Sequence, residues 1–210
     1  MSILIEINEN LQKGRSKAVC NLVETALAEK LDPKDIMQSL LDGMNTIGEK
    51  FKRDEVFVPD VMIAARAMNN GLAKLKPYLA EAGVTTVGKA CSGTVKGDLH
   101  DIGKNLVKMM LEGKGFEVID LGVDVAPETF VKTAIEQNCD VICCSALLTT
   151  TMTAMDEVVK AAEAAGIRDK VKIMVGGAPV DQRFCDHIGA DAYTRDAASA
   201  ADAAVAFMNK

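Results

Sequence analysis

The chain has 210 residues, 49% of them hydrophobic, enough for one large domain or two small ones with real cores. Its net charge of −6 argues against a nucleic-acid binder, because phosphate contacts need clustered Lys and Arg and no basic stripe appears. The start, Met1-Ser2-Ile3-Leu4-Ile5-Glu6, has no positive segment followed by a long apolar one, and no stretch approaches the roughly 18 uninterrupted apolar residues of a membrane span, so a cytoplasmic protein without a membrane partner is expected.

From Ile3 to about Ala82 apolar residues recur at threes and fours. Ala18, Val19, Leu22, Val23, Ala26 and Leu27 form one stripe, and Ile36, Leu40, Met44 and Ile47 form another, which predicts a helical bundle over residues 1–83. Asp32-Pro33 reads as an N-cap and first helical residue, and Val58-Pro59-Asp60 as a break before a last helix through Met62, Ala65, Met68 and Leu72.

After Gly83 the period changes, and residues 84–210 alternate short apolar runs with amphipathic helices. Strands are predicted at Val87–Cys91, Phe116–Ile119, Val141–Cys144, Val171–Val175 and Ala192-Tyr193. Helices are predicted over Ile102–Gly113, Pro127–Gln137, Thr150–Ala165 and Asp181–Ile188, with a last one from Asp196. Parallel strands need helical returns of this length, so the pattern predicts an α/β domain with a five-stranded, doubly wound parallel sheet of flavodoxin-like or Rossmann type. Ligands of such sheets sit beyond the carboxyl ends of the strands. The run Asp98-Leu99-His100-Asp101-Ile102-Gly103 follows the first strand, Ser145 ends the third and Gly176-Gly177 the fourth, so all three project to that edge.

His100 is one of two histidines, and Asp98 two residues before it could accept a hydrogen bond from one ring nitrogen and leave the other for a metal. Taken alone, such a pair is more often a satisfied surface group. The six cysteines show no Cys-x-x-Cys spacing and read as small buried side chains, and His187, in a late helix, reads as structural or exposed.

Taken together, Asp98-x-His100-x-x-Gly103, Ser145-x-Leu147 and Gly176-Gly177 resemble the cobalamin-binding signature of the corrinoid proteins of methyltransferase systems and of the B12 module of methionine synthase. The helical half resembles the cap domain of the same family, through Gly48-Glu49-Lys50-Phe51, Val56-Phe57-Val58-Pro59 and Ala64-Ala65-Arg66-Ala67-Met68. The resemblance implies cobalamin (methylcobalamin or a related corrinoid) as cofactor, with its nucleotide base off the cobalt and His100 as the lower ligand. Asp98 and Thr151 would complete a proton relay, with Thr151 standing where methionine synthase has serine. Asp98, Leu99, His100, Asp101, Ile102 and Gly103 would meet the cofactor. Ser145 would bond the buried base, Thr149 would add a polar contact, Leu147 would line the wall, and Gly103, Gly176 and Gly177 would leave room for the nucleotide tail. Phe51, Val58 and Val61 would shield the upper face, although bundle core is the plainer reading of those three.

The implied function is that of a methyl carrier. Co(I) takes a methyl group from a substrate-specific methyltransferase of O-demethylase or methylamine type, and a second methyltransferase moves it from methyl-Co(III) to tetrahydrofolate or coenzyme M. A reductive activator is implied for occasional Co(II). No barrel for the methyl donor or acceptor is encoded, so the chain is not expected to complete the reaction alone. The main alternative is a B12-dependent sensor or regulator, against which the absence of a basic recognition helix counts.

Overall fold

The computed structural model describes residues 2–83 and 85–209. By packing, the chain divides into two compact units, Met1–Thr86 with Glu112–Gly115, and Val87–Leu111 with Phe116–Lys210. Among the described residues no helix is long and apolar enough to cross a membrane.

The first unit is built from α1 (Ile3–Gln12), α2 (Ser16–Ala28), α3 (Pro33–Lys52) and α4 (Val58–Glu81). Both predicted stripes supply its core: Val19, Val23 and Ala26 from α2 and Ile36, Leu40, Met44 and Ile47 from α3 are buried, with Ile7 and Leu11 of α1 and Val61, Ala64, Met68 and Leu75 of α4. Gly71 lets α4 approach closely, since a Cβ there would stand 3.0 Å from Val19 Cγ1 and 3.3 Å from a Leu40 methyl. The Asp32 carboxylate accepts from Lys34 N–H at 2.8 Å and Pro33 opens α3, as the spacing predicts. The break before α4 falls one residue earlier than expected. Phe57 is its N-cap residue, Val58 and Pro59 lie in the first turn, and Asp60 accepts from Phe57 N–H at 2.8 Å. Proline fits there because first-turn N–H groups have no partner within the helix.

The second unit interleaves β1 (Lys89–Val95), β2 (Glu117–Val125), β3 (Val141–Ser145), β4 (Lys172–Gly176) and β5 (Ala192–Tyr193) with α5 (Ile102–Gly113), α6 (Pro127–Gln137), α7 (Thr153–Ala164), α8 (Gln182–Ile188) and α9 (Ala197–Met208). All pairings are parallel and the strand order is β2-β1-β3-β4-β5, the doubly wound sheet that the alternation predicts. The order reverses between β1 and β3, which opens the crevice where such sheets bind ligands.

One face of the sheet, with Cys91, Val95, Ile142, Cys144, Ile173 and Val175, packs on Phe130 of α6, Met155 and Val158 of α7, and Cys185 of α8. On the other face Asp120 of β2 meets Lys104 of α5, and Lys172 of β4 lies over the Phe207 ring of α9. Several element boundaries differ from expectation. β1 starts at Lys89 rather than Val87, where the Asp140 carboxylate accepts from Lys89 N–H at 2.8 Å. β2 runs on to Val125 rather than ending at Ile119, because two register shifts against β1 carry it past Gly122. Thr149–Thr151 form a 3-10 turn and α7 begins only at Thr153, so β-branched Thr150 and Thr151 do not open an α-helix. α5 spans Ile102–Gly113, as the periodicity predicts, and leaves residues 96–101 as the loop after β1.

Candidate functional site

The loop between β1 and α5 is pinned at Gly97, Asp98 and His100. Asp98 N–H donates to Val95 O at 3.1 Å across a turn in which Gly97 takes φ +83°, where glycine is strain-free. Asp124, at the end of β2, reaches back to this turn: its N–H donates to Asp98 O at 2.9 Å and its carboxylate accepts from Gly97 N–H at 2.7 Å. Thr94, wholly buried in β1, donates its hydroxyl to His100 O at 2.8 Å.

Asp98 is the hub. Its side chain has 0% exposure, yet its carboxylate accepts five hydrogen bonds. One oxygen takes His100 Nδ1 at 2.7 Å and His100 N–H at 3.1 Å. The other takes Leu147 N–H at 2.7 Å, Leu148 N–H at 3.2 Å and Thr151 Oγ1 at 2.8 Å. Burial pushes the carboxyl pKa up, but the bonds from Leu147, His100 and Thr151 outweigh it and hold it well below the usual carboxylate range. Asp98 is therefore ionised and can only accept, so Nδ1 carries the ring proton and the lone pair of the neutral imidazole sits on Nε2. The ring is 53% exposed, and Nε2 has no protein partner among the described residues.

Thr151 Oγ1 also lies 2.9 Å from Leu148 O. A hydroxyl has one proton, and the charged carboxylate is the stronger acceptor. The structure thus brings Asp98, His100, Leu147 and Thr151 into one bonded cluster. Ser145 is half-buried at the end of β3 and Thr149 is exposed on the following turn, and neither bonds the cluster. Asp101 accepts from the side chain of Asn105 at 3.1 Å.

The three glycines differ. A Cβ at Gly103 would meet nothing within 4 Å, and one at Gly176 only Thr194 O at 3.9 Å. Gly177 has φ +132°, and a Cβ there would lie 1.8 Å from Ala146 O, so the protein's own backbone demands glycine whether or not a ligand does. In the helical unit Phe51 and Val58 are half-buried, while Val61 is fully buried in the apolar core of α4. Phe57 is 66% exposed.

Several contributors were not singled out from sequence. Thr94 looks like any strand residue, and Leu148 acts through its backbone alone. Lys104, 3% exposed, donates to Asp120 at 2.6 Å and to Asn105 Oδ1 at 2.7 Å, tying α5 to β2 beside the loop. The one readable hint was Gly122-x-Asp124, a turn pair inside an apolar alternation.

The arrangement fits a corrinoid. It offers a single outward nitrogen, which suits one axial position on a metal whose other ligands come with a macrocycle. Leu99 and Ile102 are 72% and 71% exposed on either side of His100, and Leu147 and Leu148 are also exposed. Large apolar side chains set in solvent around a polar ligand mark a surface made to be covered. Open space at Gly103 and Gly176 leaves room for an appended chain.

Comparison with known proteins agrees with that fit. Residues 88–206 match a family model described as a B12 binding domain, and residues 5–76 match a second model of that description. The chain is 42% identical over 214 residues to a corrinoid protein of Desulfitobacterium hafniense strain Y51, covering 100% of this chain and 97% of that one. It is 44% identical over 200 residues to a dimethylamine corrinoid protein of Methanosarcina barkeri, covering 94% and 93%. Among solved structures, the methanol:cobalamin methyltransferase complex MtaBC of Methanosarcina barkeri superposes with a TM-score of 0.89 at 30% identity, covering 99% of this chain and 80% of that one. A cobalamin-binding protein of Desulfitobacterium hafniense DCB-2 gives 0.80 at 31% identity, covering 97% and 98%.

Proposed function

This chain belongs to the B12-binding corrinoid proteins of methyltransferase systems, and from that premise we propose that it is a methyl carrier that holds its corrinoid through His100. When bound, the cofactor supplies a cobalt ion that takes up a methyl group and gives it away again. The observation that carries the reading is the 2.7 Å bond between Asp98 and His100 Nδ1, which fixes the tautomer and leaves Nε2 bare at the exposed sheet edge.

Asp98 holds the imidazole plane and makes Nε2 a better donor, while Leu147, Leu148 and Thr151 hold Asp98. Nε2 can carry either a proton or a metal, so ligation and proton uptake compete at one atom. Thr151 keeps its hydroxyl on the same carboxylate, the relay place in which the related synthase has serine. Exposed Leu99, Ile102 and Leu147 would pack against the macrocycle, and Asp101 would meet it beside them. Gly103 and Gly176 would leave room for the nucleotide tail, with Gly177, already required by the Ala146 carbonyl, beside it and Ser145 and Thr149 as its polar contacts. In the helical unit, half-buried Phe51 and Val58 would supply apolar surface toward the cofactor, and Val61, fully buried in the bundle, would add to it only from the core.

Residues 1–83 form the cap and 84–210 the cofactor domain of this carrier. The partners are a substrate-specific methyltransferase that loads the methyl group, a second one that unloads it to tetrahydrofolate or coenzyme M, and a reductive activator. The methylamine names of relatives sharing 40–44% of their residues support an amine donor, and O-demethylation is the other system considered. The test is reconstitution with cobalamin. Wild type is expected to take up the cofactor and shift its absorption from the base-on to the base-off form, and His100→Ala to lose the histidine-ligated spectrum. Equal spectra for the two proteins would reject the assignment of His100.

A further inference from the structure

Asp98 fixes the ring plane of His100 and takes one bond from its backbone, His100 N–H at 3.1 Å, but the His100 carbonyl and the turn before Asp98 are held from elsewhere. Two other side chains hold them. Thr94 Oγ1, at 0% exposure, donates to His100 O at 2.8 Å from beneath the loop. Asp124 holds the other end twice, through its carboxylate to Gly97 N–H at 2.7 Å and through its own N–H to Asp98 O at 2.9 Å.

The second hold depends on an unusual strand end. Asp120, Gly122 and Val125 of β2 pair with Ser92, Gly93 and Val95 of β1, so one residue is bulged out between each pair of contacts beyond the regular ladder. Gly122 at φ +83° and Asp124 at φ +54° turn the chain through the left-handed region, and Asp120 accepts from Gly122 N–H at 3.0 Å to close the first bend. Left-handed backbone at a non-glycine residue persists only where its surroundings hold it, and Asp tolerates it better than most. The outcome is a hook whose tip bonds the turn before Asp98. Nothing in sheet pairing alone requires that bond.

We infer that Thr94 and Asp124 are positioning residues for His100, clamping the loop from below and from the side so that Nε2 projects at a fixed height and angle. The inference rests on His100 being the cobalt ligand only for its consequence, because the clamp itself is a property of the protein without cofactor. Neither residue touches the ring, so neither is a catalytic residue.

Thr94→Val keeps the shape and removes the donor, and Thr94→Ser restores it. Asp124→Gly removes the carboxylate while accepting the positive φ, and Asp124→Asn restores an acceptor. The first readout is NMR of the cofactor-free full chain, following exchange of the His100 Nδ1 proton with water. Loss of a clamp bond is expected to speed exchange about tenfold or more in Thr94→Val and Asp124→Gly, on the scale of one hydrogen bond, with Thr94→Ser and Asp124→Asn close to wild type. The second readout is the Co(II) EPR spectrum of cobalamin-loaded protein, in which both loss variants are expected to show a reduced histidine-nitrogen splitting that the conservative variants recover. Unchanged exchange with only a lowered melting temperature would overturn the clamp. Faster exchange in the loss variants, together with a wild-type spectrum lacking histidine nitrogen, would leave the clamp standing and reject the ligand assignment instead. Asp124 is exposed, so its variants decide the matter should Thr94→Val fail to fold.

Discussion

Replacing Asp98 by asparagine tests the hub with almost no change in shape. The carboxylate satisfies five donors from a fully buried position, three on one oxygen and two on the other. An amide has one acceptor oxygen and one NH2 group, so one set of donors must face another donor. With its oxygen toward Leu147, Leu148 and Thr151, the NH2 meets His100 N–H and Nδ1. The ring can then bond only by giving up the Nδ1 proton and placing it on Nε2. With the amide reversed, Leu147 and Leu148 N–H lose their acceptor, and Thr151 can turn to Leu148 O, 2.9 Å away. Hydrogen bonds to a charged group are worth about 1.5–3 kcal/mol each, and breaking a buried charged network by one partner costs about 3–5 kcal/mol. We therefore expect Asp98→Asn to lose about 3–5 kcal/mol in a urea titration at neutral pH, with unchanged m-value. In mildly alkaline buffer, where imidazoles are neutral, nitrogen NMR should also show the His100 proton moving to Nε2. A loss under about 1 kcal/mol, with the proton still on Nδ1, would refute the reasoning.

Gly177→Ala should destabilise the chain by several kcal/mol in the same titration, since its Cβ would lie 1.8 Å from Ala146 O. Gly103→Ala, in open space within a helix, should gain up to about 1 kcal/mol yet weaken cobalamin uptake, and an unchanged dissociation constant would remove Gly103 from the tail path. Thr151→Val should cost about 1–3 kcal/mol and Thr151→Ser under about 1, measured by denaturation; equal losses would mean that packing, not the hydroxyl, matters. For Asp120, burial raises the pKa but the Lys104, Gly122 and Lys108 bonds lower it further, to about 2. A depressed carboxyl adds stability above its unfolded value of about 3.9, and that gain fades as pH falls toward the folded value. The stability gap between wild type and Asp120→Asn should thus be full above about pH 5 and shrink below about pH 4, whereas a gap that grows in acid would contradict the ion pair.

The layer architecture was legible because the change of period near Gly83 is sharp and the strand runs are apolar. The pairing of Asp98 with His100 was legible too, being a contact two residues apart at a strand end. Thr151 reached the reading only through the resemblance, since nothing local links it to Asp98, 53 positions away. Thr94 carries no mark in the sequence, and for Asp124 the Gly122-x-Asp124 pair hints at a turn but not at what the turn holds. Their partners are backbone atoms, and Asp124 arrives through bulges that break the alternation of Ile119 to Val125. Gly177 was assigned to the ligand path, but the close Ala146 carbonyl explains it without one, a contact across strands that carries no mark in sequence. Val61 kept helical spacing with the bundle stripe and lies in the bundle core, the plainer of its two readings.

The most direct test of the account is the Co(II) EPR spectrum of the cobalamin-loaded chain, prepared with ordinary histidine and again with 15N-labelled histidine. With His100 on cobalt, the nitrogen splitting changes from a triplet to a doublet on labelling and disappears in His100→Ala. A triplet that ignores the label would show the cofactor's own base still on cobalt, and His100 would then not be its ligand.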